Sequence, residues 1–153
     1  MDKSLVLISS TVTAKQKGEK DDWFLVKTSD DGEWEFPKTI VRKGESSVRA
    51  AIRLMGEQAG MTARVLEEAG RAGGVTTIND KTVPQRHLYY LMIELSSAGE
   101  AVGFTKGEWF PYAQATRKLS SKRDQSMLKA ARKELAEWKK SGKDKQMEED
   151  DLK

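Results

Sequence analysis

Cysteine is absent from all 153 residues, which excludes disulfides and thiolate metal sites and agrees with a reducing compartment. Histidine occurs once, at His87, with no serine or cysteine at a spacing that marks a nucleophile–base pair. Long apolar runs are also missing. The longest near the N-terminus is Leu5 to Ile8, short of the ~7–15 residues of a secretory signal core and far short of the ~20 that cross a bilayer. A strong excess of one charge is lacking too: 27 Lys and Arg face 24 Asp and Glu, a net +3. That balance suits anionic small ligands and weak nucleic-acid contact and decides between neither. The expectation is a soluble cytoplasmic protein with no membrane partner. At this length, with 37% hydrophobic residues, it makes one domain with one core.

What is present falls into an order of elements. Residues 4–15 read as a strand rich in β-branched side chains, followed by the apolar strand WFLVKTS. SDDGEW has the chemistry of a tight turn. Beyond it Trp34 and Phe36 alternate with Glu33 and Glu35 until Pro37, which cannot donate to a central ladder. From Ser47 the period becomes helical: Val48, Ala51, Ile52, Met55 and Ala59 form one stripe, with Ser46 or Ser47 as N-cap and Gly60 as the stop. ARVLEEAGRAGGVTTI and QRHLYYLMIELSS read as strands around a Gly-rich bend, the second apolar on both faces and therefore central. GEWF is a short strand before Pro111. Helices are predicted at about 112–119 and 121–140, the latter with Leu128, Ala131, Leu135 and Trp138 on its packed face. No repeat is visible. The sequence divides into a domain over residues 1–140 and a charged tail over 141–153 with too little to bury to fold. The fold class is α+β, a layered domain.

The stretch from Thr39 to Met61 resembles the Nudix box, G-x5-E-x7-R-E-U-x-E-E-x-G-U with U aliphatic. Glu45, Arg53, Met55, Glu57, Gly60 and Met61 fall at the right spacings, after WEFPK and with Gly44 before Glu45. EWFPYAQATRKL and the helix after it are similar to the C-terminal part of Nudix proteins related to diadenosine tetraphosphate hydrolases. The resemblance spans about residues 3–138. It implies a mixed β-sheet sandwiched between the box helix and C-terminal helices, and Mg²⁺-dependent hydrolysis of nucleoside diphosphates linked to a further moiety.

Three positions depart from the pattern: Thr39 for the opening glycine, Leu54 for the Glu after Arg53, and Gln58 for the second Glu of the closing pair. Positions 54, 57 and 58 are spaced i, i+3 and i+4 and so share a helical face, which is expected to look into the cleft. Three carboxylates there would hold Mg²⁺ through oxygen, the metal gripping a diphosphate. One carboxylate and one amide should hold it weakly or not at all, with Mn²⁺ as the alternative ion. Glu57 is then the candidate catalytic and metal-binding residue, and Glu108 the candidate second ligand, with Glu35, Glu67 and Glu68 as alternatives. Lys38 beside the box loop, Glu35 before it and Tyr89 near its strand's start are candidate ligand contacts. Gly44, Glu45, Arg53 and Gly60 are assigned to building the box.

Three functions follow as expectations. The first is a Nudix-fold protein that binds a nucleotide or other diphosphate-linked ligand, its pyrophosphohydrolase activity weak or lost. The second is an active hydrolase in which Glu57 works with another carboxylate. The third is a non-catalytic module of an RNA–protein assembly, whose basic last helix, with Lys118, Lys122, Arg123, Lys129, Arg132 and Lys133, meets phosphates.

Overall fold

A computed structural model describes residues 5–18, 20–97 and 101–141. The charged tail from residue 142 lies outside the described residues. The chain runs β1 (Val6–Lys17), β2 (Lys20–Lys27), β3 (Lys38–Ile40), α1 (Ser47–Glu57), β4 (Met61–Ile78), β5 (Lys81–Ser97), β6 (Lys106–Pro111), α2 (Tyr112–Lys118) and α3 (Lys122–Lys140). The strands make one mixed sheet in the order β4-β5-β1-β2-β6, with β3 paired to β1. Only β1 and β5 run parallel, from Val6↔Gln85 to Ala14↔Ile93; the other pairs are antiparallel.

The alternation of each strand splits the core in two. Val12, Ala14, Trp23, Leu25, Tyr89, Leu91 and Ile93 face Leu128, Ala131 and Leu135 of α3 and Ala115 of α2. Phe24, Val26, Leu88, Tyr90 and Met92 face Ala51, Leu54 and Met55 of α1. The sheet is thus sandwiched between the box helix on one face and the two late helices on the other, and β5 is covered on both sides.

Some local expectations are corrected. Residues 33–36 do not form a strand; Trp34 and Glu35 make only isolated bridges to Leu119 and Val26. The segment exchanges backbone hydrogen bonds with β2 only between Glu35 and Val26, and regular pairing resumes in β3, beyond Pro37, which has no amide to donate. The β4–β5 hairpin does not bend at its glycines. Gly73 and Gly74 stay in the strand, and the chain turns at Asn79 and Asp80, both at positive φ (50° and 65°), the pair of left-handed residues that a tight hairpin turn uses.

The buried stripe of α1 is rotated from the one the sequence suggested. Ala50, Ala51, Leu54 and Met55 are fully buried, whereas Val48 is 38% and Ile52 48% exposed. Leu54 explains the rotation. It sits beside Met55 against Phe24 and Met61, and burying two large flexible side chains contributes ~1.5–3 kcal/mol each. The helix turns that edge inward and leaves the β-branched pair, Val48 and Ile52, outside. Polar contacts fix it there: the Ser9 hydroxyl donates to the Ser47 carbonyl (2.8 Å), Thr11 Oγ1 to Met55 Sδ (3.1 Å), and Tyr90 meets Ser47 Oγ.

Candidate functional site

The loop into α1 is held by its own charges. The Arg53 guanidinium grips Glu45 with two bonds, Nε to Oε2 at 2.8 Å and a terminal nitrogen to Oε1 at 3.0 Å, and reaches the Ile40 carbonyl at 3.3 Å. Glu45 Oε1 also accepts from the Arg42 amide at 3.0 Å. These bonds, Arg53's first, hold the Glu45 carboxyl down at about 2; the same contact raises Arg53. Gly44, in the loop before Glu45, and Gly60, after the end of α1, take φ of +80° and +62°, where a side chain would be strained. At the N-terminus of α1, Ser46 caps by accepting from the Arg49 amide at 3.1 Å. Loop, helix and β3 are thereby one unit.

The face expected to carry metal is divided. Glu57 is exposed and Gln58 half-buried, but Leu54 is sealed in the core, so the helical turn does not present three side chains to a cleft. A loop latches over this end of the helix: the Gly103 amide donates to the Gln58 carbonyl at 2.9 Å. A Cβ on Gly103 would stand 2.4 Å from Gln58 Cβ, so only glycine allows the approach. Phe104 and Ala101 of that loop pack on the cluster containing Leu54.

Glu108 lies on the wrong side of the sheet to help. It pairs with Leu25 on β2, whereas its neighbour Trp109 pairs with Phe24. Leu25 belongs to the α3 side and Phe24 to the α1 side, so the exposed Glu108 side chain leaves on the face opposite Glu57. Among the described residues no three His, Asp or Glu side chains converge as metal ligands. The donor set does not fit a Mg²⁺ ion held by several carboxylates.

Of the three candidate ligand contacts, Glu35 and Lys38 meet at one place, whereas Tyr89 is 1% exposed, belongs to the core and does not line it. Lys38 Nζ is 3.5 Å from Glu35 Oε1, and both line a pocket of about 200 Å³ with Trp34, His87, Arg123 and Asp124. Behind it the Tyr89 hydroxyl donates to Asp124 Oδ1 (3.0 Å) and accepts from Arg123 Nε (3.1 Å). His87 stacks on the Tyr89 ring, centroids 4.4 Å apart. Burial, with the Asp124 charge, pushes the Tyr89 hydroxyl up, so it stays protonated.

His87 also touches Ser10, Nε2 to Oγ, which makes a serine–histidine contact that spacing did not reveal. The other ring nitrogen decides its meaning. Nδ1 lies 3.3 Å from a terminal nitrogen of Arg123, and a guanidinium can only donate. Nδ1 must therefore accept, the proton sits on Nε2, and Ser10 Oγ receives it. This tautomer cannot take a proton from serine. Burial first, then Arg123 and Lys38, depress His87 to about 4, so the ring is a neutral strut that positions Arg123. Ser10, Arg123 and Asp124 were not legible as one site: more than a hundred residues separate the first from the others. The nearest signal is the S-x-x-D at 121–124, where Ser121 accepts from the Asp124 amide at 3.2 Å and so fixes where α3 starts.

The family model of the NUDIX domain matches residues 11–131. This chain belongs to the Nudix family. No curated protein matches it. Its Nudix fold is similar to solved structures: an Ap4A hydrolase of C. elegans in a binary complex (21% identity, 86% of this chain and 98% of that one, TM-score 0.69), and the NUDIX domain of Shewanella oneidensis NrtR complexed with ADP ribose (16%, 87% and 90%, 0.69). The MutT protein of Methanosarcina mazei Go1 is a third (14%, 88% and 98%, 0.64). At these identities the likeness is one of fold.

Proposed function

We propose that this Nudix protein binds a nucleotide or another diphosphate-linked ligand and that its Mg²⁺-dependent pyrophosphohydrolase activity is weak or lost. The observation that carries this is the burial of Leu54. A carboxylate position of the box has become part of the core, which leaves Glu57 with one neutral amide beside it and Glu108 across the sheet. One exposed carboxylate does not assemble the charge needed to desolvate and hold Mg²⁺ against a diphosphate.

Ligand binding is supported by the pocket of Lys38, Glu35 and Arg123. Arg123 is held by two neutral acceptors, His87 and Tyr89, and among the described residues it makes no ion pair; with Lys38 it is the cation that would meet an anionic group, against the carboxylates of Glu33, Glu35 and Asp124 that also line the pocket. Trp34 offers a ring beside it. Ap4A, named as what one structural neighbour hydrolyses, and ADP ribose, bound in another, are the natural first probes. Titration calorimetry with each should give binding that Lys38→Ala and Arg123→Ala weaken about tenfold each, the loss expected for a charge-assisted contact, and AMP release should stay near background in millimolar Mg²⁺. Absence of binding would refute the reading. Mg²⁺-dependent turnover that Glu57→Gln abolishes would replace it with the active-hydrolase reading.

A further inference from the structure

We propose that the outer face of α2 and α3 binds the phosphate backbone of a nucleic acid, along a row that starts beside the Lys38 pocket and runs away from it down α3. The chain's charge is unevenly placed. Residues 112–133 contain seven Lys and Arg and one Asp, a net +6, while the remaining 131 residues hold 20 cations and 23 anions, a net −3. The near-neutral total conceals a basic layer.

Six of these cations, Arg117, Lys118, Lys122, Lys129, Arg132 and Lys133, are exposed. Among the described residues none of the six takes part in an ion pair. The seventh, Arg123, is turned to His87 and Tyr89, and the one acid, Asp124, is engaged by the Tyr89 hydroxyl. Two of the cations rest on aromatic rings: Arg132 lies 4.1 Å from the Tyr112 centroid and Lys118 5.5 Å from that of Phe110. Such contacts hold a cation in place without neutralising it.

The arrangement is linear. Lys122, Lys129 and Lys133 are spaced i, i+7 and i+11, which puts them within about 40° of one another and spreads them over roughly 16 Å of helix. Glu137, in the last turn, ends the row. A line of uncompensated charges suits a linear polyanion better than a compact anion. A membrane is disfavoured, because every large apolar side chain found exposed among the described residues lies outside α2 and α3, and interfacial binding needs apolar insertion beside the charge. A protein partner would want an apolar centre that this face also lacks.

The test is fluorescence anisotropy of a fluorescein-labelled, mixed-sequence 20-nucleotide single-stranded RNA against the full chain. Binding should be measurable at 50 mM NaCl and fall with salt at a logarithmic slope of about −2 to −4, the value for three to six phosphates at ~0.7 each. Lys122→Glu/Lys129→Glu/Lys133→Glu, confirmed folded by circular dichroism, should weaken it at least about tenfold and flatten the slope by about 2. Lys43→Glu/Lys81→Glu, in the box loop and the hairpin turn, should change affinity less than about threefold, the effect of bulk charge alone. Lys38→Ala should leave RNA affinity unaltered while weakening the small ligand. The proposal is overturned by no binding at 50 mM NaCl, by equal loss in the two charge-reversed variants, by loss in Lys38→Ala, or by tighter binding to phosphatidylglycerol vesicles than to RNA.

Discussion

Leu54 shows how far one side chain can redirect a motif. Leu54→Glu restores the box pattern on paper, but the new carboxylate would enter the cluster of Phe24, Met55 and Met61. The variant should lose roughly 3 kcal/mol or more in urea denaturation, from lost packing plus an uncompensated charge, with no recovery in Mg²⁺. Gln58→Glu at the half-buried C-cap should cost under ~1 kcal/mol. Recovery of Leu54→Glu by millimolar Mg²⁺ would show that the core opens to form a metal site. Arg53 and Glu45 give a pH test. Glu45 titrates at about 2 when folded against an ordinary 4.5, so the pair stabilises the fold fully above about pH 4.5, and that contribution disappears as pH falls through about 2. The stability gap between the parent and Arg53→Met, measured by urea titration at several pH values, should narrow over that interval. A gap unchanged at pH 2 would mean that Arg53 acts through packing rather than charge.

The elements were mostly legible, and the exceptions have physical causes. The box helix, expected over 47–59, spans Ser47–Glu57, and the late helices lie where their apolar spacing put them. Period reports which residues are apolar but not which edge of a broad stripe wins. Val48 and Ile52 continue the repeat through Met55 and so read as core, whereas the edge that packs against Phe24 and Met61 is the one with Leu54 beside Met55. At the candidate site Lys38 and Glu35 are close in sequence and could be grouped in advance. Ser10, His87 and Arg123 come together only through the sheet order β5-β1 and the return of α3, which no local pattern encodes. The cap of α1 is local and should behave so. Ser46→Ala removes the bond to the Arg49 amide and should cost about 1 kcal/mol, readable as a lower Tm, with ligand binding retained if the loop is held mainly by Arg53 and Glu45.

Across the whole molecule stability should be graded along the β4–β5 hairpin. Among the described residues β1 pairs with β5 from Gln85 to Ile93, and the turn-proximal part, with Val75 71% and Ile78 44% exposed, has no third strand beside it. Amide exchange should be fastest over residues 73–84 and slowest over 86–93, following local burial. Uniform protection along both strands would indicate that something further covers the projecting part.

The parallel pairing of β1 with β5 also bears on how the protein comes into being. β1 is the middle strand of the sheet and leaves the ribosome well before β5, so Val6 waits for Gln85 and Ala14 for Ile93. β2 can close one edge at once through the short connection at Lys17–Lys20, but the other edge stays open until β4 and β5 have been made and have found each other. Such distant pairings are slow to form. During that interval the apolar strand at the centre of the finished sheet is an unpaired margin, open to other nascent chains. The vulnerable period in the life of this protein is therefore its synthesis, and its soluble yield should respond more to translation rate and growth temperature than its equilibrium stability would suggest.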